Sequence, residues 1–248
     1  MFPIAPRAVN GAGMAWRFAH SHCPAPRVNL APENLMNTCN MVSMTASSPR
    51  DPLATRLERA FNDHGYEQLS MVGLAKLCGF TRRALYHHFS SKEEAFRFAL
   101  RWRGELNIVA GMAAGRRLIE EGKGAVDIIT EMMDVRYGET RRQLGLSPHA
   151  LELNDQAFRR ARDIMVEAAV DYQAKLAGLL TEMEELGLLR FKPGTTPESL
   201  AQSLCDGARG TNQSLPPIPP DQLKTRYHKI ITAILFGSAE PGKHRAQP

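Results

Sequence analysis

Cysteine is scarce in this sequence, and its spacing gives no sign of metal chemistry. The 248 residues contain four cysteines, with no Cys-X-X-Cys pair and no cysteine–histidine run at zinc-ligand spacing. They are Cys23, Cys39, Cys78 and Cys205. A disulfide scaffold and a zinc module are therefore excluded, and the pattern favours a reducing, cytoplasmic environment.

Long apolar runs are also lacking. The best of them, such as 230–236, are far shorter than the roughly 18 apolar residues that a membrane span requires. The first residues do not combine a charged leader with an unbroken apolar segment, which argues against a secretory signal. We therefore expect a soluble, cytoplasmic protein with no membrane partner.

Neither sign of charge dominates the chain. Lys and Arg number 31 against 26 Asp and Glu, a formal net charge of +5, which permits an anionic partner without requiring one. With 43% hydrophobic and 23% charged residues, the chain has enough apolar material for a sizeable core, which excludes disorder throughout. The kind of partner must therefore be inferred from where the charged residues lie in the chain.

Patterning divides the chain at about residue 50. Residues 1–50 show neither helical nor strand periodicity and are interpreted as a disordered tail, or as a misassigned start with translation beginning near Met44. From residue 51 onward, short helical segments with clear start and stop signals follow one another, and no convincing alternating strand appears. The predicted class is all-α, with residues 51–98, 99–238 and a flexible C-terminus, 239–248, as its parts.

Two short helices joined by a tight turn stand out in the first part. Ser70 is a predicted N-cap of one helix, Gly79 permits the turn, and Thr81 is a predicted N-cap of the next helix, which begins at Arg82. This is the sequence shape of a helix-turn-helix, which lays its second helix in the major groove of DNA.

The second short helix carries the donors that such a groove requires. Arg82 and Arg83 are forked donors suited to guanine and phosphate acceptors, while Leu85 and Phe89 are predicted to face the core. Further polar side chains of this helix are His87 and His88. A merely solvated face of a short helix is the alternative interpretation.

Longer helices are predicted after this motif. Ser91 and Glu94 form the pattern of a capping box that starts a helix at Lys92, with a break near 122–124. Gly111 and Gly115 are expected to weaken its later turns. The remaining predicted helices cover 125–142, 156–186, 197–208 and 221–236.

Three stretches of this region are distinctive: HGYEQLSM, LAKLCGFTRRALYHHF and SSKEEAF. Together they resemble the DNA-binding domain of the TetR/AcrR family of transcriptional regulators over residues 51–100, whereas the rest of the chain is similar only in layout. The resemblance implies a homodimeric repressor that binds double-stranded DNA and is released by a small-molecule effector. It also implies that residues 51–98 bind DNA and that 99–238 bind the effector and dimerise.

The resemblance also implies roles for individual residues. Tyr86 and Lys92 match positions that contact DNA phosphates, although Tyr86 could also be a core edge with its hydroxyl in water. Ala84 stands where a hydroxyl is frequent in the family, and Arg83 where a small residue is frequent. The operator sequence of a relative therefore cannot be assigned to this chain. The complete predicted DNA-binding set is Ser70, Thr81, Arg82, Arg83, Ala84, Tyr86, His87, His88 and Lys92.

Two further residue sets are predicted in the C-terminal part, with ordinary core packing as the alternative for both. Large or adaptable side chains favour an apolar or amphipathic effector; they are Trp102, Met112, Met132, Met133, Tyr137, Met165 and Tyr172. Wide apolar stripes near the chain end could form a four-helix dimer interface; they comprise Leu200, Leu204, Ala208, Leu223, Tyr227, Ile230, Ile231 and Ile234.

Two rival functions come from other classes. An enzyme in the C-terminal bundle is disfavoured because the sequence has no GxSxG, HExxH or P-loop motif. A ligand-independent architectural DNA-binding protein is the other rival. We predict no cofactor and no metal, since His87 and His88 project about 100° apart on a helix and have no further ligand at suitable spacing.

Overall fold

A computed structural model of the protein describes residues 52–241. The predicted tail, the alternative start near Met44, Cys23 and Cys39 lie outside the described residues. The first part consists of α1 (Pro52–His64), α2 (Met71–Leu77) and α3 (Arg82–His88), followed by the long α4 (Lys92–Glu120). This arrangement confirms the two short predicted helices and the longer predicted helix that begins at Lys92.

The second part continues the helical fold. Its helices are α5 (Ala125–Met133), α6 (Glu139–Gly145), α7 (Ala150–Arg160), α8 (Arg162–Glu185), α9 (Pro197–Asn212) and α10 (Leu223–Ser238). A π-helical segment, Asp134–Gly138, joins α5 to α6, and a 3₁₀ turn, Pro220–Gln222, precedes α10. No helix within residues 52–241 is long and apolar enough to cross a bilayer.

Local capping explains where the first helices begin. The hydroxyls of Ser70, Thr81 and Ser91 each accept a hydrogen bond, at 3.1 Å, from the backbone N–H three residues further on, which confirms the three predicted caps. The predicted capping box is shifted by one residue. The Glu94 carboxylate accepts from the N–H and hydroxyl of Ser90, both at 2.7 Å, rather than from Ser91.

Two hydrophobic cores organise the described residues, and α4 belongs to both. Phe96 and Ala99, near its start, lie in an N-terminal core together with Leu85 of α3. Ile108, three turns later, lies in a second core built mainly by α5, α8, α9 and α10. The N-terminal core also contains Leu153 of α7. α4 therefore connects the two cores, and α7 packs against the N-terminal one.

Several predicted boundaries in the second part are wrong. The 125–142 helix is interrupted by the π-helical segment, and the 156–186 helix is two helices separated at Ala161, whose φ of −138° and ψ of 26° are not helical. Gly111 and Gly115 do not mark weak turns. A Cβ on Gly115 would lie 2.5 Å from the Met132 sulfur, so its bare backbone is what allows α5 to approach α4 closely.

A two-stranded antiparallel ladder was not predicted. β1 (Leu189–Phe191) pairs with β2 (Ala239–Pro241), with Leu189 opposite Pro241 and Phe191 opposite Ala239. Strands of three residues are too short to show an alternating pattern in sequence. Because Ala239 is buried, residues 239–241 are part of the fold, and the prediction of a flexible segment from residue 239 is wrong there.

Candidate nucleic-acid interface

Burial of one face of α3 turns its polar face outward. Leu85 is fully buried and Phe89 nearly so, while Arg82, Arg83 and His87 are exposed. The preceding turn contains Gly79 at a φ of +74°, a backbone conformation that favours glycine. The predicted orientation of α3 is therefore confirmed, and the outward-facing residues of α3 form what we call the recognition face.

Charge on the recognition face is of one sign. Residues 78–92 contain Arg82, Arg83 and Lys92 and no acidic residue. Arg82 places its guanidinium carbon 5.4 Å from the ring centroid of Tyr86, a cation–π contact that restrains both side chains. Tyr86 is 43% exposed, so it stands on the surface beside the arginines and not at the edge of the core.

The other predicted DNA-binding residues differ in what they present. The hydroxyls of Ser70 and Thr81 cap α2 and α3, and Ala84 has no polar side-chain atom to offer. His88 packs edge-on against Phe80, with 5.7 Å between ring centroids. Its contribution to packing was not predicted.

Lys92 is engaged within the fold. Its ammonium donates to the backbone carbonyl of Tyr66 at 2.7 Å and lies 4.2 Å from the centroid of the Tyr66 ring, and partial burial lowers the pKa of Lys92. In this arrangement Lys92 holds the turn between α1 and α2. The phosphate contact that the resemblance implies stays a prediction.

A link between α7 and the α1–α2 turn was missed in the sequence. The Glu152 carboxylate accepts the backbone N–H groups of Tyr66, at 2.8 Å, and Glu67, at 2.6 Å. Gly65, at a φ of +73°, makes room for it, because a Cβ there would lie 2.5 Å from the carboxylate. Hydrogen bonds from the backbone of Glu67 and Tyr66 lower the pKa of Glu152.

Neighbouring side chains reinforce this link. Arg160 of α7 pairs with Glu93 of α4 at 2.7 Å and stacks on the ring of Tyr66, 4.7 Å from its centroid. Arg97 of α4 donates to Asp163 of α8 at 2.8 Å. The partners are 66 to 94 residues apart in sequence and are ordinary surface types, so no local pattern could have identified them.

The structure brings together part of the predicted effector set. Met132, Met133 and Tyr172 are fully buried in the second core, and Met112 and Tyr137 pack against it. Trp102 is buried in α4, with an indole N–H that has no hydrogen-bond partner among the described residues. Met165 of α8 is 37% exposed, and its place in the effector set stays a prediction.

Most of the residues predicted for the dimer interface lie inside the protomer instead. Six of these side chains are buried in the protomer's own core and cannot present themselves to a partner; they are Leu200, Leu204, Ala208, Leu223, Tyr227 and Ile231. Helical periodicity does not distinguish an intrachain contact from an interchain one, and the predicted pairing of α9 and α10 with a partner stays a prediction. Ile230 and Ile234 remain half-buried at the surface.

Metal ligation has no support in the described part of the chain. Within residues 52–241, no three His, Cys, Asp or Glu side chains are grouped so that they could hold an ion. The exposed, one-signed charge of α3 is instead suited to a polyanion.

Comparison with known proteins gives a consistent result. The family model described as bacterial regulatory proteins, tetR family, matches residues 56–97, which span α1 to the start of α4. No curated protein sequence matches the chain.

Solved structures share the fold at low sequence identity. A TetR-family regulator from Haloarcula marismortui is 16% identical, with a TM-score of 0.58 over 76% of this chain and 97% of its own. A putative TetR-family regulator from Rhodococcus is 17% identical, with a TM-score of 0.56 over 76% and 100%. SmeT, the repressor of a Stenotrophomonas maltophilia multidrug efflux pump, is 16% identical, with a TM-score of 0.54 over 82% and 96%.

The link through Glu152 predicts a pH-dependent stability difference. Glu152→Gln removes the charge that strengthens two backbone hydrogen bonds, so the free energy of unfolding at pH 7 should fall by about 1–2 kcal/mol. Because the folded-state pKa is lowered, this contribution is complete above the unfolded pKa of about 4.3 and is lost as the pH falls through the lower folded value.

Chemical denaturation between pH 3.5 and 7 measures the effect. The exposed Glu120 at the end of α4 supplies the matched control, Glu120→Gln, which should leave stability within about 0.5 kcal/mol. A deficit in Glu152→Gln that stays constant down to pH 3.5 would show that the charge is not what stabilises the link.

Proposed function

We propose that this chain is a homodimeric repressor of the TetR family of bacterial transcriptional regulators, whose family model matches residues 56–97, and that it binds its operator through α3. A small molecule bound in the second core releases it. The observation that carries the proposal is the recognition face, with Arg82 and Arg83 exposed beside Tyr86 and Leu85 buried behind them. Residues 51–98 are the DNA-binding part and 99–238 the effector-binding and dimerising part.

The chemistry of the recognition face fits the major groove. An α-helix fits this groove, where guanine presents two acceptors that an arginine fork matches. Arg82 and Arg83 supply two such forks at the start of α3, while Tyr86, Thr81 and Ser70 offer hydroxyls to the backbone phosphates. We assign base recognition to the arginines and orientation on the duplex to the hydroxyls.

Dimerisation follows from the geometry of the target. Two recognition helices must stand about 34–36 Å apart to read successive faces of the groove. The surface we propose for pairing lies where α9 meets α10: Ile230 and Ile234 pack over Gly207, and Ala233 and the 53%-exposed Phe236 lie beside them. Apolar and small side chains together suit a close helix–helix contact.

Release requires that the effector favour one arrangement of the two DNA-binding parts over another. Contacts that could transmit this preference are the continuous α4, shared by both cores, and the bond from Glu152 to the α1–α2 turn. A ligand that moves α5 against α4 near Gly115 would act on the same helix that carries Phe96 in the N-terminal core.

Substitution of the arginines tests the DNA contact. Duplexes selected from a random pool by the purified protein supply the target. Arg82→Ala and Arg83→Ala should each weaken binding to the selected duplex by about 5- to 100-fold, because a forked contact with a base is worth about 1–3 kcal/mol. Gel-shift titrations at several salt concentrations make the measurement.

Lys123→Ala, in the exposed α4–α5 turn, removes one positive charge far along the chain and serves as the control. It should leave affinity for the selected duplex within about twofold. Unchanged affinity in both arginine variants would exclude α3 as the reading element.

A charge placed on the proposed pairing surface tests dimerisation. Ala233 is exposed in the described chain, so Ala233→Arg should fold normally yet desolvate an arginine in any interface formed there. We expect light scattering to report a monomer and the affinity for the selected duplex to fall at least tenfold. Leu146→Arg, at a position 86% exposed, is the control; dimers of unchanged mass in Ala233→Arg would place the interface elsewhere.

A further inference from the structure

One nitrogen of an arginine in the π-helical segment, the Nε of Arg136, has no acceptor among the described residues. Arg136 is half-buried, its Nε is fully buried, and no described residue accepts a hydrogen bond from that atom. Its guanidinium carbon lies 5.0 Å from the ring centroid of Tyr137 and 5.5 Å from that of Tyr172. The two rings are themselves edge-to-face at 5.9 Å. The cation is therefore directed toward aromatic faces in the second core.

The acidic groups nearest in sequence already have other partners. Asp134 is held by the forked guanidinium of Arg142, at 2.9 and 3.1 Å, and Glu139 by the same arginine at 3.2 Å. Glu131 pairs with Lys224 at 2.6 Å. No carboxylate of this segment is left to neutralise Arg136.

Two phenol hydroxyls beside this arginine also lack an oxygen acceptor among the residues described. Tyr172 is fully buried, and the partner of its hydroxyl is the sulfur of Met133 at 3.9 Å. Burial in the second core raises the pKa of Tyr137, and the nearby thiol of Cys205 adds to this rise. Sulfur is a weak acceptor, and buried donors without good acceptors are rare in folded proteins. The buried Nε of Arg136 and the hydroxyls of the two rings beside it are donors that an oxyanion would satisfy better than the described residues do.

The surroundings of these donors are apolar. Met132 and Met133 are fully buried on α5, and Ile108 of α4 belongs to the same core. Arg136 packs against the bare backbone of Gly111, where a Cβ would lie 3.2 Å from its own Cβ. π-Helical segments occur frequently at functional sites. The second core therefore places the Arg136 cation and two tyrosine hydroxyls in an otherwise hydrophobic environment.

We propose that the effector is an amphipathic anion whose carboxylate or phosphate group binds Arg136, Tyr137 and Tyr172, with its apolar body among the α5 methionines. This inference rests on the proposed function, since it specifies the chemical class of the releasing ligand. An arginine fork matches the two oxygens of either anion, and the low dielectric of a core strengthens such a pair.

Calorimetry on the full chain tests the proposal with matched amphiphiles below their micellar concentrations. Dodecanoate, dodecyl phosphate, dodecan-1-ol and dodecylamine share one chain and differ in the head group. We expect at least one of the two anions to bind ten times more tightly than the alcohol, and the amine to bind no better than the alcohol. Which anion binds more tightly identifies the head group.

Variants test whether Arg136 causes the preference for the anion over the alcohol. Arg136→Met keeps the length and removes the charge and all donors, so it should reduce the preference for the anion over the alcohol to twofold or less. Arg136→Lys should retain part of it, and Lys123→Met, in the α4–α5 turn, should retain all of it. Without ligand, the melting temperature of Arg136→Met should be unchanged or higher, because no buried donor is left unpaired.

Several results would overturn the inference: no binding by either anion, equal binding of anions and alcohol, or a preference that survives Arg136→Met. A second measurement on the same preparation tests whether the unliganded protein binds DNA selected from a random pool. It distinguishes failure of this inference from failure of the proposed function. Anion preference without DNA binding contradicts the repressor; DNA binding without anion preference contradicts only the effector class.

Discussion

Burial of Leu85 and Phe89 in the N-terminal core is the contact on which the proposed recognition depends. A seven-residue helix has little stability of its own, so packing against α2 and the cap at Thr81 must hold it in place. With those side chains buried, the remaining positions of α3 must face outward, and they carry Arg82, Arg83 and Tyr86. The shape and charge of the recognition face thus follow from the core behind it.

Regulation requires that this small domain be connected to the rest of the chain, and two elements provide the connection. α4 contributes side chains to both cores, and α7 reaches the α1–α2 turn through Glu152 and inserts Leu153 into the N-terminal core. A shift of either helix would therefore displace the α1–α2 turn, which Lys92 also holds. Arg136, beside Gly111 of α4, places the proposed anion site directly against one of these connections.

Features that depend on near neighbours in the chain were predictable from sequence. The caps at Ser70, Thr81 and Ser91, and the outward face of α3, depend on spacings of three or four residues. Features that depend on distant partners were not. Helical periodicity identified Leu200 and Tyr227 as apolar positions but could not say which surface they meet. The Glu152 link and the Arg136 Nε without an acceptor become visible only when residues remote in sequence are placed around them.

The most direct test of the account is site-specific photocrosslinking to a duplex selected by the protein. A photoreactive amino acid at His87, which is exposed on α3, should crosslink to bases within the selected site, whereas the same group at Leu146, exposed beyond α6, should not. Addition of a releasing effector should abolish the crosslink. Efficient crosslinking from position 146 and none from position 87 would contradict the claim that α3 enters the DNA groove.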